Sequence, residues 1–400
     1  MNIEHQQLTR SAHKTIVLLS IIALLITSCK KDFSDYYHYN PPEQINDGLK
    51  TGTLKQVGMD SNMIIKAIGR IDHNKYGQVH SMLIYKDDLL VFEEYFEGNR
   101  YQWDAPHYRG DWIQWDKKTM HVIMSCTKSI ISACIGIAID KGFIESVHES
   151  IFNYLPDHQK FKSEGKDKIT IEHLLTMTSG LKWDEWGSHD PSSNDIDWLY
   201  SYCQSDPVSC VLEKPLEHNP GDFFTYNGGG MFILGEILRN ATKMNIEDFS
   251  NMYLFEPLAI DSVQWYQFEN GAYACDGSIL MTSRDMLKIG ATYLNKGKWN
   301  DQRIISKQWV EKSETTYNHN TGINIPIDDS GKNGYAYSWW TNEISGAGKS
   351  AKLFQAGGWG GQEIIVVPEL NMVVVFTGGN YEDKKHYYEI LERFVLAAID

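Results

Sequence analysis

The pattern of apolar and polar residues predicts one buried helix and a β-hairpin before it. Residues 129–139 are apolar almost without interruption, and the run ends shortly before Gly142. A helix that is apolar nearly all round is expected to be buried. Residues 80–85 and 89–96 are short β-type runs, and the polar residues 86–88 between them are typical of a hairpin turn.

The rest of the pattern places helices in the middle of the chain and strands towards its end. Further helices are predicted at residues 170–175, with Thr170 as N-cap, and at residues 230–241, 283–295 and 383–399. Further strands are predicted at residues 334–341, 352–355, 363–367 and 372–377. Because strands come from both ends of the chain, we expect an α+β fold. In it, the C-terminal strands complete one antiparallel sheet, and a mostly helical region is inserted at about residues 145–330.

The first 28 residues have the features of an export signal. Arg10 and Lys14 supply a positive end, and the apolar run 15–26 is too short to span a bilayer comfortably. The sequence then reads Thr27-Ser28-Cys29, which resembles the lipobox of bacterial lipoproteins, whose cysteine is lipidated and becomes the first residue. We therefore expect a lipoprotein signal peptide at residues 1–28 and lipidation at Cys29. An ordinary signal peptide or a short membrane anchor is the alternative.

A tether is predicted between the lipidated cysteine and the folded domain. Residues 29–55 are polar and tyrosine-rich, contain Pro41-Pro42 and lack an apolar period. The folded domain is expected at residues 56–400. This organisation predicts a cell-envelope protein that is anchored to a membrane on its periplasmic or cell-surface side.

Composition and charge change this picture in one respect, because they exclude a class of partner. The 400-residue chain is 42% hydrophobic and 22% charged, as globular proteins are, and its formal net charge is −15. Such a charge argues against nucleic acid as a partner, and it means that acyl chains, not a basic patch, would hold the protein at a membrane.

The cysteines and histidines indicate neither a metal site nor a cofactor, since no spacing among them is typical of metal ligands. Cys203 and Cys210 lie close together in a polar stretch of a chain that we expect to be exported. A disulfide between them is plausible, but the sequence does not decide it.

The first candidate catalytic residues lie in the segment Ser125-Cys126-Thr127-Lys128, directly before the apolar helix. A serine and a lysine three residues apart share one face of a helix, so an amine can reach the hydroxyl and take its proton. The spacing alone is weak evidence, because Ser163…Lys166 and Ser179…Lys182 repeat it. The context distinguishes the first copy, since a lysine that enters a buried helix is costly unless it has a use.

Further segments, in order along the chain, resemble motifs of the serine β-lactamase-like family. That family contains class C β-lactamases, penicillin-binding DD-peptidases, and many esterases and amidases. Residues 169–181 (ITIEHLLTMTSGL) look like its LLTMTSGL segment, and residues 220–228 (PGDFFTYNG) resemble its P-G-x-x-F-x-Y-x-N segment. Residues 357–362 (GGWGGQ) look like the strand that carries K-T-G or H-x-G, and residues 277–286 match the usual helix entry.

The resemblance covers about residues 75–395, and it implies a fold and a catalytic set. The fold is an antiparallel sheet flanked by N- and C-terminal helices, with an inserted helical region. In the catalytic set, Ser125 is the nucleophile, Lys128 is its base, and Tyr226 shares the task of the base. On residue type alone Tyr226 would be a core tyrosine, because the chain has 22 of them.

The resemblance also implies an oxyanion hole and substrate contacts. The backbone N–H groups of Ser125 and Trp359 are the expected donors to the oxyanion, and Asn227 and Gly358 are the expected substrate-binding residues. For the glycines of this segment, a strand bend or tight turn is the alternative interpretation.

Two departures from the family's pattern bear on the substrate. The second motif has Gly228 where the family has asparagine, with Asn227 one place earlier, and the third motif has Ala356 where the family has lysine or histidine. Sliding the third motif by one residue would place Gln355 there and move the oxyanion donor to Gly358. The departures weaken the case for β-lactam hydrolysis and favour the esterase and 6-aminohexanoate-oligomer hydrolase branch.

The sequence therefore predicts an exported, lipid-anchored serine hydrolase. It would acylate Ser125 with a small-molecule or peptide-like ester or amide, and water activated by Tyr226 and Lys128 would release the acyl group. Two alternatives remain: a true β-lactamase or DD-peptidase, and a catalytically silent envelope protein that binds peptidoglycan fragments or glycans.

Overall fold

An eight-stranded antiparallel sheet forms the centre of the protein in the computed structural model, which describes residues 37–187 and 189–400. In chain order, the strands of the described residues are β1 (Val79–Lys86), β2 (Leu89–Tyr95), β3 (Glu97–Tyr101), β4 (Arg109–Gln114), β5 (His121–Val122), β6 (Gln264–Trp265), β7 (Ile279–Met281), β8 (Lys298–Trp299), β9 (Gln302–Arg303), β10 (Ile323–Asn324), β11 (Lys332–Tyr335), β12 (Trp340–Gly346), β13 (Lys349–Gly358), β14 (Gln362–Val367) and β15 (Met372–Gly378). The main sheet has the strand order β10-β11-β12-β13-β14-β15-β1-β2, and the remaining strands form small sheets.

The helices lie mostly between β5 and β10. In chain order they are α1 (Ser61–Asp72), α2 (Cys126–Asp140), α3 (Ile171–Leu175), α4 (Asp195–Tyr202), α5 (Pro207–Glu213), α6 (Gly229–Thr242), α7 (Ile246–Ser250), α8 (Ser283–Leu294), α9 (Lys307–Glu314), α10 (Tyr387–Ile390) and α11 (Leu396–Ala398). A π-helical turn, Leu391–Val395, joins the last two. Within the described part of residues 145–330, only β10 joins the main sheet, as the predicted helical insertion requires.

The two ends of the chain meet in the main sheet. β1 pairs with β15 in an antiparallel register in which Ser81 faces Thr377 and Tyr85 faces Val373. This pairing confirms the prediction that C-terminal strands complete the sheet begun near the N-terminus, and it confirms the α+β fold.

Helices cover both faces of the sheet. On one face α8 packs closely on β14 and β15, because a Cβ atom at Gly290 would lie 2.6 Å from Val373 and 2.8 Å from Ile364. On the other face the rings of Phe376 and Tyr387 are 4.6 Å apart, which places α10 there. The predicted apolar helix is α2, and nearly all of its residues are buried.

Two predicted elements differ from the observed ones. The strand predicted at residues 334–341 is interrupted by a turn at residues 336–339, between β11 and β12, where Ser338 has a φ of +58° and the Ala336 N–H donates to the Trp339 carbonyl at 2.8 Å. The C-terminal helix begins at Tyr387 instead of residue 383. Lys385 lies before this helix, and its ammonium is paired with buried carboxylates.

The predicted signal peptide and Cys29 lie outside the described residues, as does the start of the tether. The structure differs from the predicted tether further along, since residues 40–400 form one compact unit in which Leu49 and Leu54 are buried. Arg284 also holds this segment, donating to Asp47 and to the carbonyl of Glu43, each at 2.9 Å.

Cys203 and Cys210, whose pairing the sequence left open, are joined by a disulfide. Among the helices of residues 37–187 and 189–400, none combines the length and apolar character that crossing a bilayer demands.

Candidate active site

Ser125 lies in a tight turn that leads into α2. Met124, directly before it, has a φ of +47°, a conformation that is uncommon for a residue with a side chain. The turn is fixed by the N–H of Thr127, which donates to the Met124 carbonyl at 2.9 Å. Ser125 therefore stands at the entrance of a rigid, buried helix, where its hydroxyl lines a cavity.

Lys128 points at Ser125 from the first turn of the same helix. Its Nζ donates to Ser125 Oγ at 2.9 Å and to the Asp276 carbonyl at 2.9 Å, and only 2% of the side chain is exposed. A carboxylate oxygen of Glu185 lies 3.7 Å from the same nitrogen. The contacts explain how a lysine can be buried here, because a buried charge requires partners.

Tyr226 joins the pair from the loop before α6. Its ring lies 4.9 Å from Lys128 Nζ and stacks against Trp186 and Trp340, at 5.4 and 5.6 Å between centroids. Its side chain lines the same cavity as Ser125. Burial, helped by the nearby charge of Glu185, raises the pKa of the Tyr226 phenol, so the resting site holds the neutral phenol.

Two backbone N–H groups near the Ser125 turn donate no hydrogen bond to any described residue. β13 approaches the Ser125 turn closely because Gly358 has no side chain; a Cβ atom there would lie 2.6 Å from the Ile123 carbonyl oxygen. Trp359 follows directly, and it lines the same cavity. Among the described residues, neither the N–H of Ser125 nor that of Trp359 has a hydrogen-bond acceptor. Free N–H groups of this kind can stabilise an oxyanion.

Glu185 is a residue of this site that sequence reasoning missed. Its carboxylate accepts from Trp183 Nε1 at 2.7 Å and from the Gly228 N–H, and burial raises its pKa. A Cβ atom at Gly228 would lie 2.8 Å from Glu185 Oε2. Glu185 therefore occupies the space beside position 228, where the family motif carries asparagine. The only signal in the sequence is an acidic pair between two tryptophans, Trp183 and Trp186.

Asp276 is the second residue that was missed. Besides the carbonyl that accepts from Lys128, its buried carboxylate accepts from the Tyr200 hydroxyl at 2.8 Å. Burial raises the pKa of this carboxyl group. Asp276 directly precedes the predicted helix-entry motif at residues 277–286, but nothing in that motif indicates a contact with Lys128.

The structure corrects one expected substrate contact. The Asn227 side chain accepts from the Gly230 N–H at 3.0 Å, at the start of α6, and within the described part of the chain it does not line the cavity. Gln355 accepts from the Tyr388 hydroxyl at 2.8 Å, on the face of the sheet that α10 covers. Ala356 is buried in the core. Neither Gln355 nor Ala356 offers a polar side chain to the cavity, whereas Gly358 does line it.

The cavity has a volume of about 910 Å³, within the range of small-molecule sites. Ser125, Lys128 and Tyr226 lie in its wall, and much of the remaining wall is aromatic, from Trp186, Trp340, Trp359, Tyr101 and Tyr381. The structure thus brings together the three predicted catalytic side chains and both predicted N–H donors around one cavity.

Comparison with known proteins begins with the family profile described as Beta-lactamase, which matches residues 79–393. A "putative D-alanyl-D-alanine carboxypeptidase" of Salmonella agona (strain SL483) is 26% identical over 221 residues, which cover 53% of this chain and 49% of that protein. The protein of the same description in Salmonella newport (strain SL254) is 25% identical over the same lengths. The chain spans about half the length of the curated relatives that it matches.

Solved structures show the same architecture over most of the chain. A "putative 6-aminohexanoate-dimer hydrolase" from Bacillus anthracis has a TM-score of 0.64 at 18% identity, covering 90% of this chain and 87% of its own. An octameric penicillin-binding protein homologue from Pyrococcus abyssi has a TM-score of 0.63 at 20% identity, covering 85% and 78%. A family VIII carboxylesterase has a TM-score of 0.63 at 15% identity, covering 84% and 96%. The predicted β-lactamase/transpeptidase-like fold is confirmed.

Proposed function

Because this chain belongs to the β-lactamase family, we propose that it is a serine hydrolase that cleaves ester or amide bonds through an acyl-enzyme on Ser125. The contact of 2.9 Å between Lys128 Nζ and Ser125 Oγ, in the wall of a cavity, carries this proposal. A serine hydroxyl is a weak nucleophile until a base lies within hydrogen-bond reach. A protein that only bound ligands would have no need for this arrangement.

Acylation follows from the geometry of the site. Lys128, in its unprotonated form, takes the proton of Ser125 Oγ while the oxygen attacks the substrate's carbonyl carbon. The carbonyl oxygen becomes an oxyanion, which accepts hydrogen bonds from the N–H groups of Ser125 and Trp359. When the bond to the leaving group breaks, the proton passes from Lys128 to the departing oxygen or nitrogen, either directly or through the Tyr226 hydroxyl.

Deacylation reverses the roles with water as the nucleophile. Tyr226 and Lys128 together take a proton from the water, and the resulting hydroxide attacks the acyl carbon. The proton then returns to Ser125 Oγ as the acid leaves. The raised pKa of Tyr226 supports a relay in which the phenol accepts one proton as it gives up another, instead of a stable phenolate.

The lining of the cavity favours substrates that carry no carboxylate at the point where the family motif would bind one. Alanine at position 356 removes the cation that the family motif supplies. Five of the lining residues are carboxylates, among them Asp197 and Glu382, and three are basic, Lys128, Lys385 and Arg100. Lys128 contacts Ser125, and Lys385 pairs with Asp328 and Glu363. A substrate carboxylate would have to compete for these two amines, which disfavours β-lactams and peptide C-termini.

A substrate panel tests this proposal. We expect the purified chain to hydrolyse nitrophenyl esters or anilides, and to hydrolyse a chromogenic cephalosporin and a peptide ending in D-alanyl-D-alanine at least about tenfold more slowly, as judged by kcat/KM. A preference for either carboxylate-bearing substrate would contradict the proposed substrate class. No turnover of any ester or amide would favour the silent binding protein.

We further propose that the hydrolase is attached to a membrane of the cell envelope through a lipidated Cys29, on the periplasmic or cell-surface side. The proposal rests on the sequence of the signal and lipobox-like segment alone. The disulfide between Cys203 and Cys210 supports an oxidising compartment.

Cys29→Ala tests the anchor, because only the cysteine thiol can take the lipid. In a host that processes bacterial lipoproteins, we expect the full-length chain to be found in the membrane fraction and the Cys29→Ala variant to lose that association. Cys134→Ala, which removes a buried thiol of α2, is the matched control and should stay in the membrane fraction. Retention of the Cys29→Ala variant in membranes would contradict the lipoprotein interpretation.

A further inference from the structure

We propose that Glu363 is a binding residue of the same cavity, where its carboxylate accepts hydrogen bonds from a protonated amine of the substrate. This inference rests on the proposed hydrolase function and adds a chemical class to its substrate. It concerns a residue of β14 that directly follows the motif at residues 357–362.

The position of Glu363 suits this role. It lies near the start of β14, directly opposite Gly357 of β13, and it lines the cavity. Only 2% of the residue is exposed, and its Oε2 has no hydrogen-bond partner among the described residues. A Cβ atom at Gly357 would lie 3.1 Å from that oxygen, so glycine leaves the space beside it open. A buried acceptor without a partner is costly, and a ligand that donates to it removes the cost.

The surrounding charges call for one more cation. Lys385 Nζ lies 2.6 Å from Asp328 Oδ2 and 3.2 Å from Glu363 Oε1, and all three side chains are buried. Two carboxylates thus share one ammonium, which leaves one negative charge without a partner. Burial raises the pKa of Glu363 to about 8, which is how a buried carboxyl group responds when its charge is incompletely compensated.

The rest of the wall suits an ammonium group as well. Trp340 approaches the open space, since its Cδ1 atom is 3.5 Å from the same Cβ position at Gly357. Aromatic faces attract cations.

Matched substrates measure this contact. We would compare a para-aminoethyl benzoate ester with its para-propyl analogue, and a second pair that carries the same groups on the leaving phenol. The wild-type chain is expected to prefer the amine in at least one pair by about tenfold or more in kcat/KM, and Glu363→Gln to abolish that preference while leaving the propyl substrate within about threefold. Glu382→Gln, which removes a half-exposed carboxylate from the same cavity, is the matched control and should keep most of the preference.

The preference should also depend on pH. Glu363 is neutral below its raised pKa and anionic above it, so the amine-to-propyl ratio should rise between pH 6.5 and 9 in the wild-type chain and stay flat in Glu363→Gln. A primary alkylamine, with a pKa of about 10, remains protonated over most of this range. The pKa of Asp328 is lowered and that of Lys385 is raised, so both stay charged. The other titratable groups around Glu363 are Asp329, Tyr387, Tyr388 and Cys126.

A binding measurement separates this inference from the proposed function. Calorimetry compares a para-aminoethyl benzamide with its propyl analogue on the Ser125→Ala chain, with and without Glu363→Gln, and needs no turnover. Weaker amine binding with Glu363→Gln supports the inference even if no ester is hydrolysed. If esters are hydrolysed but neither turnover nor binding distinguishes amine from propyl, the inference is overturned and the hydrolase proposal stands. Melting curves of each variant confirm that it is folded.

Discussion

Ser125→Ala is expected to lower kcat/KM for a simple ester at least about 10³-fold, because it removes the only atom that the proposed mechanism acylates. The change is small in volume and leaves the turn at Met124 intact, so the cavity and both N–H donors remain. The residual rate should then come from substrate binding and the oxyanion site alone, without a covalent intermediate. Steady-state ester hydrolysis at matched protein concentration measures the effect.

The chain supplies a matched control for this variant. Ser163 precedes Lys166 with the same spacing as Ser125 precedes Lys128, yet it is an exposed residue outside the described lining of the cavity. Ser163→Ala should hydrolyse the ester at the wild-type rate. If Ser125→Ala kept its activity, or if both variants lost it equally, Ser125 would not be the nucleophile.

Lys128→Met is expected to reduce the same kcat/KM by about 10³-fold, since it removes the group that accepts the Ser125 proton. Methionine has a similar length and no charge, so the packing of α2 should survive. The loss should appear mainly in kcat, because Lys128 contacts the nucleophile and is expected to act on the transition state. Circular dichroism and melting curves establish that the variant is folded.

Two companion variants test whether Lys128 acts as a base or only through its charge. Lys128→Arg keeps a cation near Glu185 but cannot give up its proton, so it should be as inactive as Lys128→Met if Lys128 is the base. Substantial rescue by arginine would show that the charge alone matters. Lys166→Met is the control for removing a buried lysine, since Lys166 donates to the Leu212 carbonyl at 2.6 Å and does not contact Ser125.

Much of the fold could be predicted because it follows from local patterns. The buried helix α2 and the hairpin of β1 and β2 each have a regular arrangement of apolar residues, and the structure has them within a few residues of the predicted bounds. The strand prediction for residues 334–341 missed the turn that divides them between β11 and β12, because apolar residues continue through that turn. Its defining feature, the positive φ of Ser338, leaves no mark on the hydrophobic pattern.

The residues of the site also differ in how far the sequence could identify them. Ser125 and Lys128 could be paired from the sequence because residues three apart on a helix face the same side. Tyr226 and Trp359 came from the resemblance to a family, since no local rule brings their segments to α2. Asn227 was assigned to the substrate because it stands one place before Gly228, where the family motif has asparagine. The structure shows its side chain accepting from the N–H of Gly230 at the start of α6 instead.

Glu185 and Glu363 could not be found in this way. Each lies beside a position that lacks a side chain: Glu185 beside Gly228, far along the chain, and Glu363 beside Gly357 on the neighbouring strand. A sequence records the glycine but not the carboxylate that lies next to it. Such pairs become visible only when the distances between the side chains are known.

The most direct test of the account is the position of a covalent adduct. The folded wild-type chain would be treated with a fluorophosphonate, digested, and its peptides analysed by mass spectrometry. The account predicts one phosphonylated residue, Ser125, and no adduct on the peptides that carry Ser163 or Ser179. An adduct on another serine, or none on a folded chain that hydrolyses esters, would contradict it.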